Sequence, residues 1–416
     1  MFPWQDLIQL IIARTISVYF DFMYWIVLAL VGYQYWTMQR NQKRMFGVCS
    51  YSLRQQVLLT LFYGTLGGIV GSVLLTVVGV TLNQMGFNYI WPLALLLMMV
   101  SVRFLCFAYA GGIVALGKIL FNWPADVNVP QILTLVAVLH ITESLLIAIS
   151  GRYSASPLIL RRGDGRLVGA FSLQNFWPLP LVLLMAVAVP GSDLPAGTMH
   201  IGDWWPLLPL GIEIPEGQRW VYALTPVVAA LGYTDMAITS SPLRRRMETA
   251  CHLAVYSATL LALALLSAKY EWLQVFAALL CPLGHELLIQ LDNRRETEGE
   301  PRYVPPNHGV MILDTVLDTP ARQLGLKPGD ILLSLDGRPV NCGADLGTAI
   351  LYAPQEFPLV IERDGRRLKK KSRWHTQGDE RRLGVILVPE GHEQVYAEMA
   401  TERFAIWEWL KGLRRK

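Results

Sequence analysis

Charge is what this 416-residue chain has least of: 16% of its residues are Asp, Glu, Lys or Arg, against 53% hydrophobic ones. A soluble protein of that length carries closer to a quarter charged residues, so a soluble globular protein is excluded and a polytopic membrane protein is expected. The five cysteines (Cys49, Cys106, Cys251, Cys281, Cys342) are odd in number and lack C-x-x-C spacing, which implies neither a disulfide framework nor a zinc knuckle. A Walker loop, a Gly-x-Ser-x-Gly elbow and a Rossmann glycine pattern between strand and helix are all missing. The net charge of +4 is modest and its excess lies in short loops, which speaks against nucleic acid as a partner.

Long apolar runs are abundant. A membrane-crossing helix needs about 20 predominantly apolar residues, and helical spans are expected over 16–36, 57–80, 132–150, 176–189, 220–238, 249–268 and 272–291. Between 89 and 120 the run is broken by Arg103, so that stretch reads as one long span, a tight pair or a re-entrant hairpin, and the total comes to roughly six to nine. The first segment, Leu7 to Trp36, is longer than a signal-peptide core and starts without a basic segment, so it is expected to stay as an anchor. Basic loops carrying Arg40, Lys43, Arg44 and Arg54, then Arg152, Arg161, Arg162 and Arg166, then Arg244 to Arg246, then Arg294 and Arg295 favour the cytoplasmic side. The stretch 191–217 carries Asp193, Asp203, Glu213 and Glu216 instead and belongs opposite.

From Pro301 onward the character changes, with 18 Lys+Arg and 15 Asp+Glu in the last part of the chain. Gly309 to Leu313 alternates as a strand, Asp318-Thr319-Pro320 starts a short helix, and Pro328-Gly329, Asp336-Gly337 and Asp364-Gly365 are turn signals. Residues 345–352 read as a helix with Leu346, Ala349 and Ile350 on one face. Beyond 391, Val395, Met399, Phe404, Trp407, Leu410 and Leu413 recur at helical spacing before Arg414, Arg415 and Lys416, as in a helix on an anionic membrane surface or one folded back on its own domain.

The stretch TPARQLGLKPGDILLSLDGRPV resembles the PDZ domains of bacterial HtrA-type and site-2-type proteases. The resemblance implies a module in which a peptide adds as a strand to a sheet edge beside a helix. Arg382-Leu383-Gly384-Val385-Ile386 resembles the carboxylate loop and groove strand, in permuted order. It then implies a groove lined by Leu383, Gly384, Val385, Ile386, Leu346, Ala349 and Ile350, the alternative being a degenerate module used only for packing or dimerisation. The fold class is an α-helical polytopic membrane domain (1–300) followed by a small mixed α/β PDZ-like domain (307–390) and an amphipathic C-terminal helix (391–416).

An intramembrane metalloprotease would need two histidines one helical turn apart around a Glu. His285-Glu286 is followed at the second position by Ile289, which cannot ligate, so no metal or other cofactor is expected. His140 and Glu143 share a helix face and are costly in lipid, readable as a proton relay or as an interhelical hydrogen-bond pair, and Arg103 and His252 read the same way. Phe176, Trp177, Pro178 and Pro180 read as a docking surface or as an interfacial anchor with helix-start prolines.

Three less generic segments carry a wider resemblance. LVGAFSLQNFWPLPL from Leu167, RFLCFAYAGG from Arg103 and CPLGHE from Cys281 resemble the MinJ family of Gram-positive cell-division topology proteins. That resemblance implies a non-enzymatic membrane adaptor linking a DivIVA-like polar protein to a MinD-like division inhibitor, with division-machinery membrane proteins as further partners and enrichment at septum and poles. A protease relative, a transporter and a secretion component are the rival classes.

Overall fold

The computed structural model describes residues 3–150, 155–190, 201, 204–208, 210–211, 214, 216–374 and 381–398. It opens on α1 (Trp4–Val18) and α2 (Phe22–Phe46), which meet at a 72° bend where the Asp21 carboxylate caps α2 by accepting from the Met23 N–H at 2.8 Å. The helix α3 (Leu53–Val78) starts on a Ser52/Gln55 capping box and stops at Gly79, whose φ of +90° suits glycine. Two short helices follow, α4 (Phe87–Met98) and α5 (Phe107–Phe121), with Arg103 in the tight turn between them. Then come α6 (Val129–Ile149), α7 (Pro242–Ser267) and α8 (Leu273–Glu298). Apolar nearly all round, α6 is buried along most of its length and forms the centre of the body.

Among the described residues four helices (α3, α6, α7 and α8) are long and apolar enough to cross a membrane, five spans if the bent α1–α2 pair counts as one. That is fewer than the six to nine expected, because the apolar runs 176–189 and 220–238 are strands. After β1 (Ala155–Arg161), β2 (Leu167–Pro190) and β3 (Gln218–Ala237) form an antiparallel ladder running in register from Phe171↔Ala237 to Pro190↔Gln218. For 176–189 length is consistent with this: as a helix it would reach only about 21 Å, short of a ~30 Å hydrocarbon layer, while as a strand it covers about 46 Å.

A strand among membrane helices must have its backbone satisfied without water, and the β2 edge facing α3 meets that demand residue by residue. At alternate positions, the N–H of Phe176 donates to the Tyr35 hydroxyl (3.3 Å), that of Val182 to Ser72 Oγ (2.8 Å) and that of Ala186 to Asn83 Oδ1 (2.8 Å), while Leu184 bridges Thr81. At the two intervening positions, Pro178 and Pro180, there is no N–H to satisfy. The prolines are therefore strand-edge residues rather than helix starts, and Trp177, expected at the interface, is fully buried. On the α3 side, Gly64, Gly67, Gly68 and Gly71 form a seam: a Cβ at Gly64 would collide with the Pro178 carbonyl, and one at Gly68 would sit 2.6 Å from the Pro180 oxygen.

The C-terminal module has a sheet in the order β8-β7-β5-β4-β9. Its strands are β4 (Val310–Thr315), β5 (Ile331–Leu335), with β6 (Arg338–Pro339) beside it, β7 (Glu356–Arg363), β8 (Arg366–Arg373) and β9 (Val385–Leu387). Two helices, α9 (Pro320–Gln323) and α10 (Gly343–Tyr352), complete it around Ile312, Leu332, Leu335, Phe357 and Leu359. Of the expected C-terminal helix, 399–416 lies outside the described residues, while β10 (Ala397–Glu398) pairs in parallel with β1.

This module docks on the end of the body that carries the basic loops. Leu313, Ile386 and Val388 join Tyr303 and Phe171 in the body's core, and Arg322 donates to the Tyr51 hydroxyl at 2.9 Å. Asp314 is buried at this seam, accepting from Ser50 Oγ at 2.6 Å and from the Thr315 N–H at 2.8 Å. Burial pushes its carboxyl above the usual range, against the opposing pull of those hydrogen bonds and of Arg322. Because the folded state holds the proton more tightly, Asp314 stabilises most below the unfolded value of about 3.9 and its contribution falls as pH rises through the folded pKa. Asp314→Asn keeps an acceptor for the Thr315 N–H and turns an amide N–H toward Ser50 Oγ, as the O–H of a protonated carboxyl would. Its thermal midpoint should match the wild type near pH 4 and exceed it increasingly toward neutrality, and a constant difference across that range would contradict this assignment.

Candidate functional site

The edge strand of the module is the first candidate. β9 pairs with β4 on one side (Thr315↔Val385, Asp314↔Ile386, Ile312↔Leu387), and its other edge has no strand partner among the described residues. Beside that edge runs α10, close enough that a Cβ on Gly343 would lie 3.7 Å from the Leu387 side chain. The preceding loop is pinned from behind: the Val316 N–H donates to the Gly384 carbonyl at 2.9 Å and the Ala321 N–H to that of Leu383 at 3.0 Å. Gly384 has φ +79°, and any Cβ there would overlap the Thr319 side chain, so glycine is required by both conformation and space.

Six of the seven residues expected to line the groove come together. Leu383, Leu346 and Ala349 are buried in the module core, Val385 and Ile350 pack half-buried against it, and Gly384 makes the turn. Ile386 does not join them. Side chains alternate along a strand, so with Val385 facing the module core Ile386 faces the opposite way, into the membrane body, where it is 3% exposed. The same alternation brings Leu387 to the side of Val385, against the module core, a residue that the two-residue period could have supplied.

The second candidate is a polar cluster inside the body, built by two of the segments singled out in the sequence. Across the α5–α8 contact, Arg103 pairs with Glu286 at 3.2 Å and the Tyr109 hydroxyl donates to Glu286 Oε2 at 2.6 Å. Cys281 Sγ reaches the Ala108 carbonyl at 3.2 Å, and Gly112 leaves room for Pro282, whose ring a Cβ at that position would meet. Gly284 makes a similar space for the Tyr256 ring, whose hydroxyl donates to the Cys281 carbonyl at 2.6 Å. At the centre lie Cys106, His140 and His285, with Cys106 Sγ 3.2 Å from His140 Nε2 and 3.7 Å from His285 Nε2. His140 thus turns to Cys106 and to the Val136 carbonyl (2.7 Å), whereas Glu143 lies one turn further along α6, partly buried. His252 belongs elsewhere, bonded to Asp292 at 3.0 Å. No sequence spacing links Cys106 to either histidine, since its neighbours in space lie 34 and 179 residues away in the chain.

Comparison with known proteins gives two kinds of match. A family model described as a PDZ domain matches residues 286–370. The cell division topological determinant MinJ of Bacillus subtilis is 25% identical over 267 residues, covering 64% of this chain and 63% of that protein. The magnetosome formation protease MamE of Paramagnetospirillum magneticum is 39% identical over 69 residues, which is 16% of this chain and 10% of that protein. Among solved structures, the PDZ domain of an SdrC-like protein from Listeria monocytogenes matches 20% of this chain and 90% of that domain, at 15% identity and a TM-score of 0.18. The chain is thus similar to MinJ over much of its length and has several apolar helices followed by a C-terminal PDZ domain, and it spans less than two thirds of the length of the curated relatives it matches.

Proposed function

We propose that this chain is a membrane-held adaptor rather than an enzyme, and that its PDZ domain captures a segment of a cytoplasmic division protein by strand addition along β9. The observation carrying this reading is the outer edge of Val385–Leu387 beside α10, which has no strand partner among the described residues, on a module anchored to the body through the opposite face of the same strand. The basic residues Arg40, Lys43, Arg44, Arg161 and Arg162 lie toward the end where the module docks, which supports a cytoplasmic module by the positive-inside rule. Similarity to MinJ over much of the chain supports a role in placing the division site. The protein partners that fit are of the DivIVA and MinD type, together with membrane proteins of the division machinery. Tethering them to one membrane patch raises their effective concentration without a strong pairwise contact.

The protease likeness supports no second reading, because it is confined to a stretch the length of the PDZ domain. The test is localisation of a full-length fluorescent fusion. Bands at septa and poles are expected, becoming diffuse around the membrane when the groove is filled. Gly384→Trp is unsuitable for filling it, since it would break the loop against Thr319. Gly347 lies one helical turn from Gly343, whose added Cβ would approach Leu387, and is exposed with open space around it, so Gly347→Trp adds bulk on that side of α10 without a clash. A uniform membrane signal from the unaltered fusion would overturn the reading.

A further inference from the structure

We propose that Cys106, His140 and His285 hold one zinc-class divalent ion inside the membrane body, stapling the start of α5 to α6 and α8. One ligand atom from each lies within 4.8 Å of the other two. In a tetrahedral zinc site with Zn–S of about 2.3 Å and Zn–N of about 2.0–2.1 Å, sulfur and nitrogen ligands stand roughly 3.5 Å apart. The Cys106 separations of 3.2 and 3.7 Å bracket that spacing.

Proton bookkeeping supplies an independent argument. His140 Nδ1 lies 2.7 Å from the Val136 carbonyl, which can only accept, so that nitrogen carries the hydrogen and Nε2 presents a lone pair toward Cys106. His285 Nδ1 faces the Tyr109 oxygen at 3.4 Å, and the Tyr109 hydrogen is committed to Glu286, so His285 Nε2 also presents a lone pair. Two buried lone pairs thus converge on a thiol that has one hydrogen to give. An ion resolves the shortage: the thiol proton leaves to solvent, the thiolate and both Nε2 atoms bind the metal, and the Nδ1 partners act as the outer hydrogen bonds that orient ligating histidines.

Among the described residues no fourth His, Cys, Asp or Glu joins the three, so water completes the shell. Glu286, the residue that would polarise water in a metalloprotease, is instead held by Arg103 and Tyr109, and the ion's role here is structural. One thiolate with two imidazoles is a borderline-soft set that suits zinc over calcium or magnesium. The sequence pattern hid the site because its ligands come from three separate elements rather than from one helical turn.

The experiment is metal analysis of the full-length protein purified in mild detergent after exposure to zinc and gel filtration. About one zinc per chain is expected, falling below about a tenth in Cys106→Ser and His285→Gln, with Cys251→Ser, an exposed thiol, unchanged. Replacement by cobalt in the unaltered protein keeps the test decisive even if a variant misfolds, since a thiolate ligand gives a sulfur-to-cobalt charge-transfer band. Less than about a tenth of an equivalent of zinc in the unaltered protein, full retention in Cys106→Ser, or a cobalt spectrum without that band would each overturn the proposal.

Discussion

Arg245→Ala is expected to destabilise the protein by about 3–5 kcal/mol, the cost of leaving buried carboxylates without their cation. Arg245 is 2% exposed and grips Asp235 in a two-pronged pair, Nε to Oδ2 and Nη2 to Oδ1, both at 2.9 Å. Asp292 and Glu296 stand at 3.7 and 3.9 Å from the same guanidinium. Around this core, Thr249 Oγ1 donates to Asp235, and Glu296 accepts from the N–H groups of Ile238 and Thr239. The network therefore locks the end of β3, the start of α7 and the end of α8 together. Arg244→Ala is the matched control: its i,i+4 pair with Glu248 is solvent-exposed and screened, so its loss should leave stability almost unchanged. Unfolding of both variants in detergent reads the contrast, and equal losses would contradict the network's importance.

The second large effect is expected at the glycine seam. Gly68→Leu drives a side chain into the backbone of Pro180. Overpacking alone costs about 1–3 kcal/mol, and pushing β2 outward also strips its edge N–H groups of their partners on Tyr35, Ser72 and Asn83. In a water-free layer each unmet group costs further, so the yield of monodisperse protein should collapse. Gly32→Leu, at a position with nothing within 4 Å of an added Cβ, should leave the yield unchanged. Tolerance of leucine at position 68 would mean that the hairpin does not lie against α3 as described.

The two halves of the molecule were unequally readable. In the PDZ domain, local turn chemistry was sufficient: Asp336-Gly337 and Asp364-Gly365 adopt the positive φ values their residue types favour, as does Gly329. Each turn fixes the register of its neighbouring strands, so the order of elements followed. In the body, hydropathy could not separate helix from strand, because both bury apolar side chains among α3, α6 and α7. The discriminating signal was Pro178 and Pro180 two residues apart, a spacing that suits alternate N–H positions on a strand edge and disrupts a helix. Charge misled in one place: Arg245 and Arg246, counted with a basic loop, are buried at the start of α7, where Asp235, Asp292 and Glu296 surround the Arg245 guanidinium. The Cys106 cluster, likewise, exists only once α5, α6 and α8 have packed.

The most direct test is binding of DivIVA-type and MinD-type proteins to the full-length chain in a lipid nanodisc, with and without Gly347→Trp. A partner that binds the unaltered chain and loses at least about tenfold in affinity to the variant, at an unchanged melting temperature, is the expected result. Equal affinity for both forms would show that the edge of β9 is not where partners are held.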